Sequence, residues 1–305
     1  MIRFREVTKR FGGRAAVDRL TLTIESGEVV ALLGPNGSGK TTTLKMAAGL
    51  VRPDSGVVSI GTPPRPACDP IARRVLSFLP QRVAFPDALT GREVVEFYRS
   101  LRALDPGRSA AVLRMAALNG AGDRAVGTYS GGMVQRLGLA VATLPEAEVL
   151  LLDEPTAALD PEGLQAFYAL VAERRSRAQC VFFTSHHVGD VERLADRVLV
   201  MANGRLAAEY TRERLRTWRD THGLMRVRLD RPAADLIESI RRVAPEATTD
   251  GLEILVPGSA ATRATVLDAI RSTGAVVTGL TAEDGRLEAL YEEVLASTDA
   301  GGPHA

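Results

Sequence analysis

Long apolar runs and an excess of charge are both missing from this chain of 305 residues. No run approaches the roughly 18 apolar residues needed to span a bilayer, and the first residues do not form a secretion signal. The net charge of +1 gives no overall field that would favour nucleic acid. We therefore expect a soluble, cytoplasmic protein without a nucleic-acid partner; any work at a membrane would require a partner protein there.

Cysteine and lysine are also scarce. Cys68 and Cys180 are the only cysteines, and they form neither a CxxC pair nor a disulfide framework. We expect Cys68 to be an inert loop thiol and Cys180 to lie in a core strand. Of the three lysines, Lys40 stands out because it lies in a glycine-rich loop.

That loop fits the pattern of a glycine, four residues and Gly-Lys-Thr. The apolar run Val29–Leu33 before it indicates a buried strand, and the residues from Thr43 to Ala48 indicate a helix. Glycines allow successive backbone N–H groups to point into one concavity, and the helix start adds the positive end of its dipole. In this setting Lys40 can reach the β- and γ-phosphates of a nucleotide, and Thr41 can ligate Mg²⁺. The alternative is a glycine-rich turn that binds no ligand.

Polar residues follow other predicted buried strands. Gln81 follows the strand Val75–Leu79, and the adjacent carboxylates Asp153 and Glu154 follow Val149–Leu152. Carboxylates at a buried strand end are costly unless a ligand uses them. Beside a phosphate loop, Asp153 can hold Mg²⁺ through a water molecule, and Glu154 can orient the attacking water.

Three further features are less specific. One of the histidines after the strand Cys180–Phe183 could sense a γ-phosphate. Phe11 lies at a predicted turn, where it could stack on a base or pack in the core. Residues 84–128 have helical periodicity, which suggests an inserted subdomain. The segment Tyr129–Met133 opens another helix, and its glycines make the helix start suitable for binding an anion.

Taken together and in this order, the motifs resemble those of an ABC-type ATP-binding subunit over residues 1 to about 215. The resemblance implies an α/β fold: a P-loop ATPase domain at 1–215 with a helical subdomain at about 84–145. It implies ATP and Mg²⁺ as ligands, a second copy of the chain and an integral membrane permease as partners, and a place on the inner face of the membrane. The implied nucleotide-binding residues are Phe11, Gly34, Pro35, Asn36, Gly37, Ser38, Gly39, Lys40, Thr41 and Thr42.

The resemblance also assigns roles at the strand ends and in the signature. Glu154 would be the general base, with His186 and Gln81 as further catalytic residues, and Thr41, Gln81 and Asp153 would hold Mg²⁺. The signature residues Ser130, Gly131 and Gly132 would act on the nucleotide of the second copy, and Asp160 would belong to the D-loop. The signature departs from the family pattern at Tyr129 and at Met133, which cannot make the hydrogen bond of the usual glutamine.

A narrower resemblance concerns the segments Leu79–Pro86 and Tyr129–Ala140. They are similar to the ATPase of the nitrous-oxide reductase maturation system, which implies a role in copper-site assembly and a periplasmic copper-processing protein as a partner. The sequence equally allows an exporter of drugs, lipids or other small molecules. Soluble ABC ATPases acting on DNA or the ribosome are disfavoured. The DNA-acting type separates the phosphate loop from the signature by a long coiled coil, the ribosome type carries two ATPase units per chain, and this sequence shows neither feature. A nucleotide-binding protein without turnover is disfavoured by Glu154 and His186.

The pattern changes after Arg219-Asp220. From His222 onward the chain has eight arginines against thirteen Asp and Glu residues. Strand and helix patterns alternate in a way that predicts a small βαββαβ domain. We expect a linker at 216–221, a dimerisation or regulatory domain at 222–300 and a tail at 301–305; a purely stabilising appendage is the alternative.

Overall fold

The computed structural model describes residues 1–118 and 120–300. The expected tail at 301–305 lies outside the described residues. The chain divides into two compact units, at 1–209 and 210–300. Each is described by itself below.

The first unit opens with an antiparallel sheet. Its strands occur in the order β2, β1, β4, β5, with β1 paired to both β2 and β4. Apolar residues on its inner face, such as Ile2, Phe4 and Ile24, are buried in the main core. The strands are β1 (Ile2–Phe11), β2 (Arg14–Ile24), β4 (Ser55–Ile60) and β5 (Arg65–Pro66).

A six-stranded sheet forms the centre of this unit, in the order β10, β9, β3, β8, β7, β6. The pairs β9–β3, β3–β8, β8–β7 and β7–β6 are all parallel. Every residue of β3, β7 and β8 is buried, which explains their continuous apolar sequences. The strands are β3 (Val29–Leu33), β6 (Leu76–Leu79), β7 (Val149–Leu152), β8 (Cys180–Thr184), β9 (Arg197–Ala202) and β10 (Arg205–Thr211).

Helices of the first unit fall into two groups. The helices α5 and α6 connect strands of the central sheet, and α1 leads from β3 to β4 of the antiparallel sheet. The helices α2, α3 and α4 share a separate apolar core that includes Val95, Leu113 and Leu137. That second core forms a helical subdomain in the region where the sequence predicted one. The bounds are α1 (Lys40–Ala47), α2 (Gly91–Leu101), α3 (Gly107–Met115), α4 (Gly131–Thr143), α5 (Pro161–Ser176) and α6 (Val188–Leu194).

The second unit is an antiparallel sheet with two helices packed against it. Its strand order is β12, β13, β11, β14, and its elements follow one another as βαββαβ before a last helix. Alternate residues of β11 are buried, so its apolar residues Met225, Val227 and Leu229 face the core. The elements are β11 (Gly223–Leu229), α8 (Ile237–Arg241), β12 (Thr248–Asp250), β13 (Glu253–Gly258), α9 (Ala260–Ser272), β14 (Val277–Glu283) and α10 (Leu287–Ala300).

The junction before this unit differs from the sequence expectation. Residues 216–221, expected as a linker, are the second part of helix α7 (Arg212–Thr221). The helix begins at Thr211, whose hydroxyl accepts a hydrogen bond from the Arg214 N–H, and it buries Leu215. A capped helix start and one buried apolar side chain therefore order a segment whose polar sequence indicated a linker. The boundary between the two compact units also falls earlier in the sequence, between Glu209 and Tyr210 instead of near residue 215.

Candidate functional site

The glycine-rich loop joins β3 to α1 at the edge of the central sheet. Gly39 has a φ of +108°, and a Cβ at this position would lie 2.3 Å from the Ala16 carbonyl oxygen. Only glycine fits there, because any side chain would clash with the neighbouring backbone. A Cβ on Gly34 would likewise lie 2.4 Å from the Met201 oxygen. The loop is thus built as a cradle whose backbone is not shielded by side chains, as a bound phosphate requires.

Lys40 begins α1 and is directed back onto the loop. Its Nζ donates to the carbonyl oxygens of Gly34 at 2.7 Å and Pro35 at 3.1 Å. The side chain is buried, and this burial lowers its pKa, although the carboxylates of Glu154 and Asp153 act in the opposite direction. Within the described part of the chain, the hydrogen-bond partners of this buried ammonium group are neutral carbonyls, which favours an anionic ligand.

Asp153 lies immediately after β7, with 1% of its surface exposed. Its Oδ1 accepts hydrogen bonds from the hydroxyls of Thr184 at 2.8 Å and Thr41 at 3.2 Å. Its Oδ2 is buried with no hydrogen-bond partner among the described residues. Burial raises the pKa of this carboxyl group, and the two threonine hydroxyls partly oppose that shift.

This arrangement fits Mg²⁺. An uncompensated carboxylate oxygen is expensive in a protein interior, and a hard cation is the kind of ligand that removes this cost. The Thr41 hydroxyl and the Asp153 carboxylate both supply the oxygen atoms that Mg²⁺ prefers, and they already lie within hydrogen-bond distance of each other. Thr41 and Asp153, predicted as metal ligands, are therefore brought together.

Glu154 occupies a strained backbone position beside Asp153. Its φ is +49°, a conformation that costs a non-glycine residue roughly 1–3 kcal/mol. Its Oε2 accepts a hydrogen bond from Gln81 Nε2 at 3.0 Å and lies 3.4 Å from His186 Nδ1. Side chains from two other strand ends, Gln81 after β6 and His186 after β8, thus meet at one carboxylate oxygen of Glu154.

Thr184 was given no role in the sequence analysis, yet it connects the two carboxylates. It is fully buried at the end of β8. Its hydroxyl accepts a hydrogen bond from the Glu154 N–H at 2.8 Å while donating to Asp153 Oδ1. A threonine at the carboxyl end of a buried strand, next to the predicted γ-phosphate histidine, is the signal that could have identified it.

The signature segment lies at the start of α4. Ser130 is the N-cap, and its Oγ accepts a hydrogen bond from the Met133 N–H at 3.2 Å. A Cβ on Gly132 would lie 2.8 Å from the Ala158 oxygen, so the signature and the D-loop are neighbours. Asp160 caps α5 and accepts a hydrogen bond from Arg136 at 2.8 Å. Within the described parts of the chain, no hydrogen bond joins Ser130 or Gly131 to the phosphate loop.

The departures from the usual signature are accommodated locally. The Tyr129 hydroxyl donates to the Ala121 carbonyl oxygen at 2.7 Å, and its ring packs against the core of the helical subdomain. Met133 packs against the same core. Both residues therefore contribute to the stability of the subdomain, with the ring of one and the thioether of the other in apolar surroundings.

Phe11 is at the end of β1, and 54% of its surface is exposed. The alternative that it is a core aromatic is therefore wrong. The Lys9 ammonium lies 5.4 Å from its ring centroid. An exposed ring supported by a neighbouring cation leaves one face free to stack on a planar ligand.

The glycine loop, buried lysine and paired carboxylates at the ends of parallel strands define a P-loop nucleotide-hydrolysing domain. Its family follows from comparison with known proteins. The profile of the ABC transporter family matches residues 17–157. The chain is 40% identical to a Nod factor export ATP-binding protein of Burkholderia lata, over 68% of this chain and 70% of the relative. It belongs to the ABC transporter family.

Other relatives and solved structures agree. A doxorubicin resistance ATP-binding protein of Mycobacterium tuberculosis is 35% identical over 67% of this chain and 63% of its own length. A dimeric ATP-binding cassette in a post-hydrolysis state, bound to ADP and Pi, matches with a TM-score of 0.63 and 26% identity, covering 70% of this chain and 99% of that one. The predicted fold class is thus confirmed, and this chain is an ATPase that uses ATP and Mg²⁺ and couples hydrolysis to transport.

Proposed function

We propose that this chain is the ATP-hydrolysing subunit of a small-molecule exporter. The observation that carries the proposal is the similarity, over two thirds of the chain, to ATP-binding proteins named for Nod factor export and doxorubicin resistance. In the described residues no helix has the length and apolar character needed to cross a bilayer. The proposal therefore includes a separate permease, which holds the ATPase on the inner face of the membrane.

The residues of the site divide the work of hydrolysis. Lys40 and the loop Gly34–Thr42 bind the phosphates, and Phe11 stacks on the adenine ring. Thr41, Asp153 and Gln81 would hold Mg²⁺, which supplies charge stabilisation at the transferred phosphoryl group when bound. Glu154 takes a proton from the attacking water, and Gln81 and His186 orient its Oε2 through the contacts at 3.0 and 3.4 Å.

The site is completed by a second copy of the chain. Ser130, Gly131 and Gly132 act on the γ-phosphate held by the partner, in a head-to-tail dimer. The support is that Ser130 and Gly131 are exposed at a helix start and that the similar cassette bound to ADP and Pi is dimeric. ATP binding favours the closed pair and hydrolysis releases it, so the permease follows a two-state cycle.

The permease docks on the helical subdomain, near Gln81. Phe97 on α2 is 59% exposed, and its ring packs edge-to-face against Tyr98 with centroids 5.3 Å apart. A rigidly held, exposed aromatic side chain is typical of an interface anchor. In this proposal the subdomain reports changes at Gln81 to the membrane partner.

The narrower copper-maturation role, with a periplasmic copper-processing protein as a partner, is the second candidate. It rests on the segments Leu79–Pro86 and Tyr129–Ala140. In the part of the chain that the structure describes, no group of three or more His, Cys, Asp or Glu side chains is arranged to hold a metal ion. In this role a partner would carry the copper, and the ATPase would only drive the permease.

A deletion strain separates the two candidates. We expect it to accumulate doxorubicin, used as the export probe, while its nitrous-oxide reductase stays fully loaded with copper. Complementation with the wild-type chain should restore efflux, and complementation with Glu154→Gln should not. A copper-depleted reductase together with unchanged efflux would establish the maturation role and overturn the exporter proposal.

A further inference from the structure

Arg174, on α5, is a buried cation remote in sequence from the nucleotide motifs. Only 5% of its surface is exposed. Its guanidinium donates to the Gln179 Oε1 at 3.0 Å and to the Thr143 carbonyl oxygen at 3.2 Å, both neutral acceptors. Its Nε is buried with no hydrogen-bond partner among the described residues. Burial lowers the pKa of Arg174, which reflects the cost of holding this charge away from water.

A pocket of about 320 Å³ lies beside Arg174, between α3 and α5. One part of its lining is apolar, formed by Val112 and Met115 of the helical subdomain and Leu170 of α5. The other part includes Arg108 and Arg174. The Nε of Arg108 is also buried and, like that of Arg174, has no hydrogen-bond partner within residues 1–118 and 120–300.

Two of the three carboxylates at this pocket, Glu146 and Glu173, are paired with other cations, and the third, Asp105, accepts a hydrogen bond from the Gly107 N–H. Glu146 Oε1 lies 3.2 Å from both Arg108 Nη2 and Arg177 Nη1, so two arginines share one oxygen. Glu173 pairs with Arg177 at 2.8 Å. Arg174 is therefore left with neutral partners in a pocket where every other guanidinium has a carboxylate. A ligand carboxylate would give Arg174 the charged hydrogen-bond partner that it lacks.

We propose that this pocket binds a small organic carboxylate with an apolar body, one molecule per chain. The carboxylate group faces Arg174 and Arg108 and pairs with their guanidinium groups. The apolar body lies against Val112, Met115 and Leu170. Both halves of the ligand are specified by the lining, because a buried guanidinium selects an anion and the aliphatic wall selects a hydrocarbon.

The charges of the pocket favour a monocarboxylate over a polyanion. Asp105, Glu146 and Glu173 also line it, and they would repel a second or third negative charge. A volume of about 320 Å³ is at the small end of the range for ligand sites. A nucleotide or a polyphosphate is therefore excluded in favour of a compact acid.

Binding here would affect the ATPase at a distance from the nucleotide. The ligand contacts α3 of the helical subdomain and α5, whose N-cap is the D-loop residue Asp160. A ligand that fits one arrangement of these two helices better than another shifts the population toward that arrangement. The proposal goes beyond the exporter function and does not depend on which cargo is moved.

The test is isothermal titration of the full-length protein with benzoate, hexanoate and cyclohexanecarboxylate. We expect saturable binding of at least one acid at a ratio of one per chain. The neutral analogue benzamide should bind at least about tenfold more weakly than benzoate, because it lacks the charge that pairs with Arg174. Inorganic phosphate at equal concentration should not displace the bound acid.

Arg174→Ala would remove a buried charge and disturb folding, so Ala111 is substituted instead to locate the site. Ala111 lines the pocket and is exposed on α3, so Ala111→Phe should fill the cavity and weaken binding by about tenfold or more. Ala110 is its exposed neighbour on the same helix and does not line the pocket, so Ala110→Phe should bind as the wild type does. The proposal is wrong if none of the three acids binds, or if Ala111→Phe binds them unchanged.

Discussion

The central sheet of the first unit and the second unit treat polar groups in opposite ways. At the carboxyl ends of the parallel strands, Asp153 and Lys40 are buried and keep hydrogen-bonding capacity that their protein neighbours do not use. In the second unit, Arg263 of α9 is buried; it donates to the Glu283 carbonyl oxygen at 2.7 Å and lies 3.3 Å from Asp284. Arg226 and Arg228 pair with Glu253 at the surface.

The difference indicates where chemistry takes place. A protein interior retains a poorly compensated charge only where a ligand or a reaction offsets its cost, whereas paired surface charges serve solubility and local order. Single substitutions in the central sheet should therefore change activity strongly, and comparable substitutions in the second unit should change little. The predictions below test this contrast.

The largest effect is expected for Glu154→Gln. Loss of the general base should lower the rate of ATP hydrolysis by about 1000-fold, while ATP still binds and the closed dimer accumulates. Turnover assays and size-exclusion chromatography with ATP measure the two outcomes. Glu148→Gln, an exposed change just before β7, is the matched control and should hydrolyse ATP normally. A Glu154→Gln variant that remains monomeric and turns over ATP would remove this residue from the mechanism.

Lys40→Ala should mainly affect binding. Removing the cation that is buried at the loop should raise the Kd for ATP about 100-fold, as expected for a lost charge-assisted contact to a triphosphate. Titration with a fluorescent ATP analogue measures the change. Lys45→Ala, on the same helix, should alter the Kd by less than about threefold. Equal effects of the two substitutions would show that Lys40 has no special role.

Thr184→Val should give an intermediate effect. Valine has the same shape but leaves the Glu154 N–H without its acceptor and Asp153 Oδ1 without one donor, so we expect the free energy of unfolding to fall by about 2 kcal/mol. Hydrolysis should fall about tenfold as the carboxylates lose their alignment. Denaturant melts and turnover assays measure both. Thr184→Ser keeps the hydroxyl and should restore most of the loss; failure of that rescue would count against the hydrogen-bond role.

The smallest effect is expected in the second unit, for Glu253→Gln. Hydrogen bonds from Arg228 and Arg226 lower the pKa of Glu253, so its stabilising effect is present above the ordinary carboxyl pKa and disappears as the pH falls through the lowered value. At pH 7 the variant should melt within about 2 °C of the wild type, and the difference should vanish at acid pH. Glu246→Gln, an exposed change, should show no such pH dependence. ATPase activity should be the same in all three chains.

The parts of the predicted nucleotide site each leave a local pattern in the sequence. Continuous apolar runs indicated the buried strands β3, β7 and β8, and polar residues directly after them indicated the functional edge. The sequence placed Gln81, Glu154 and His186 each after a predicted buried strand, but it did not predict their mutual contacts. These expectations depended on short segments and on one rule of sheet architecture.

Other features could not be predicted, since they depend on contacts between distant segments. The role of Thr184 requires knowing that β7 and β8 are adjacent and in register. Arg174 lies in a run of charges that is typical of a solvated helix face, yet packing against the end of α4 buries it. Helix α7 replaces the expected linker because one apolar side chain, Leu215, finds a buried position. Burial of this kind is set by tertiary structure and leaves little trace in a short window of sequence.

The positive φ of Glu154 has a consequence for how this position can vary. Glycine would relieve the backbone strain at +49° and could make the chain more stable by up to the roughly 1–3 kcal/mol that such strain costs. It would also remove the carboxylate. Natural selection for catalysis and selection for thermal robustness therefore act in opposite directions at this single residue. A search for heat-resistant variants by screening folded protein alone would enrich inactive chains at position 154.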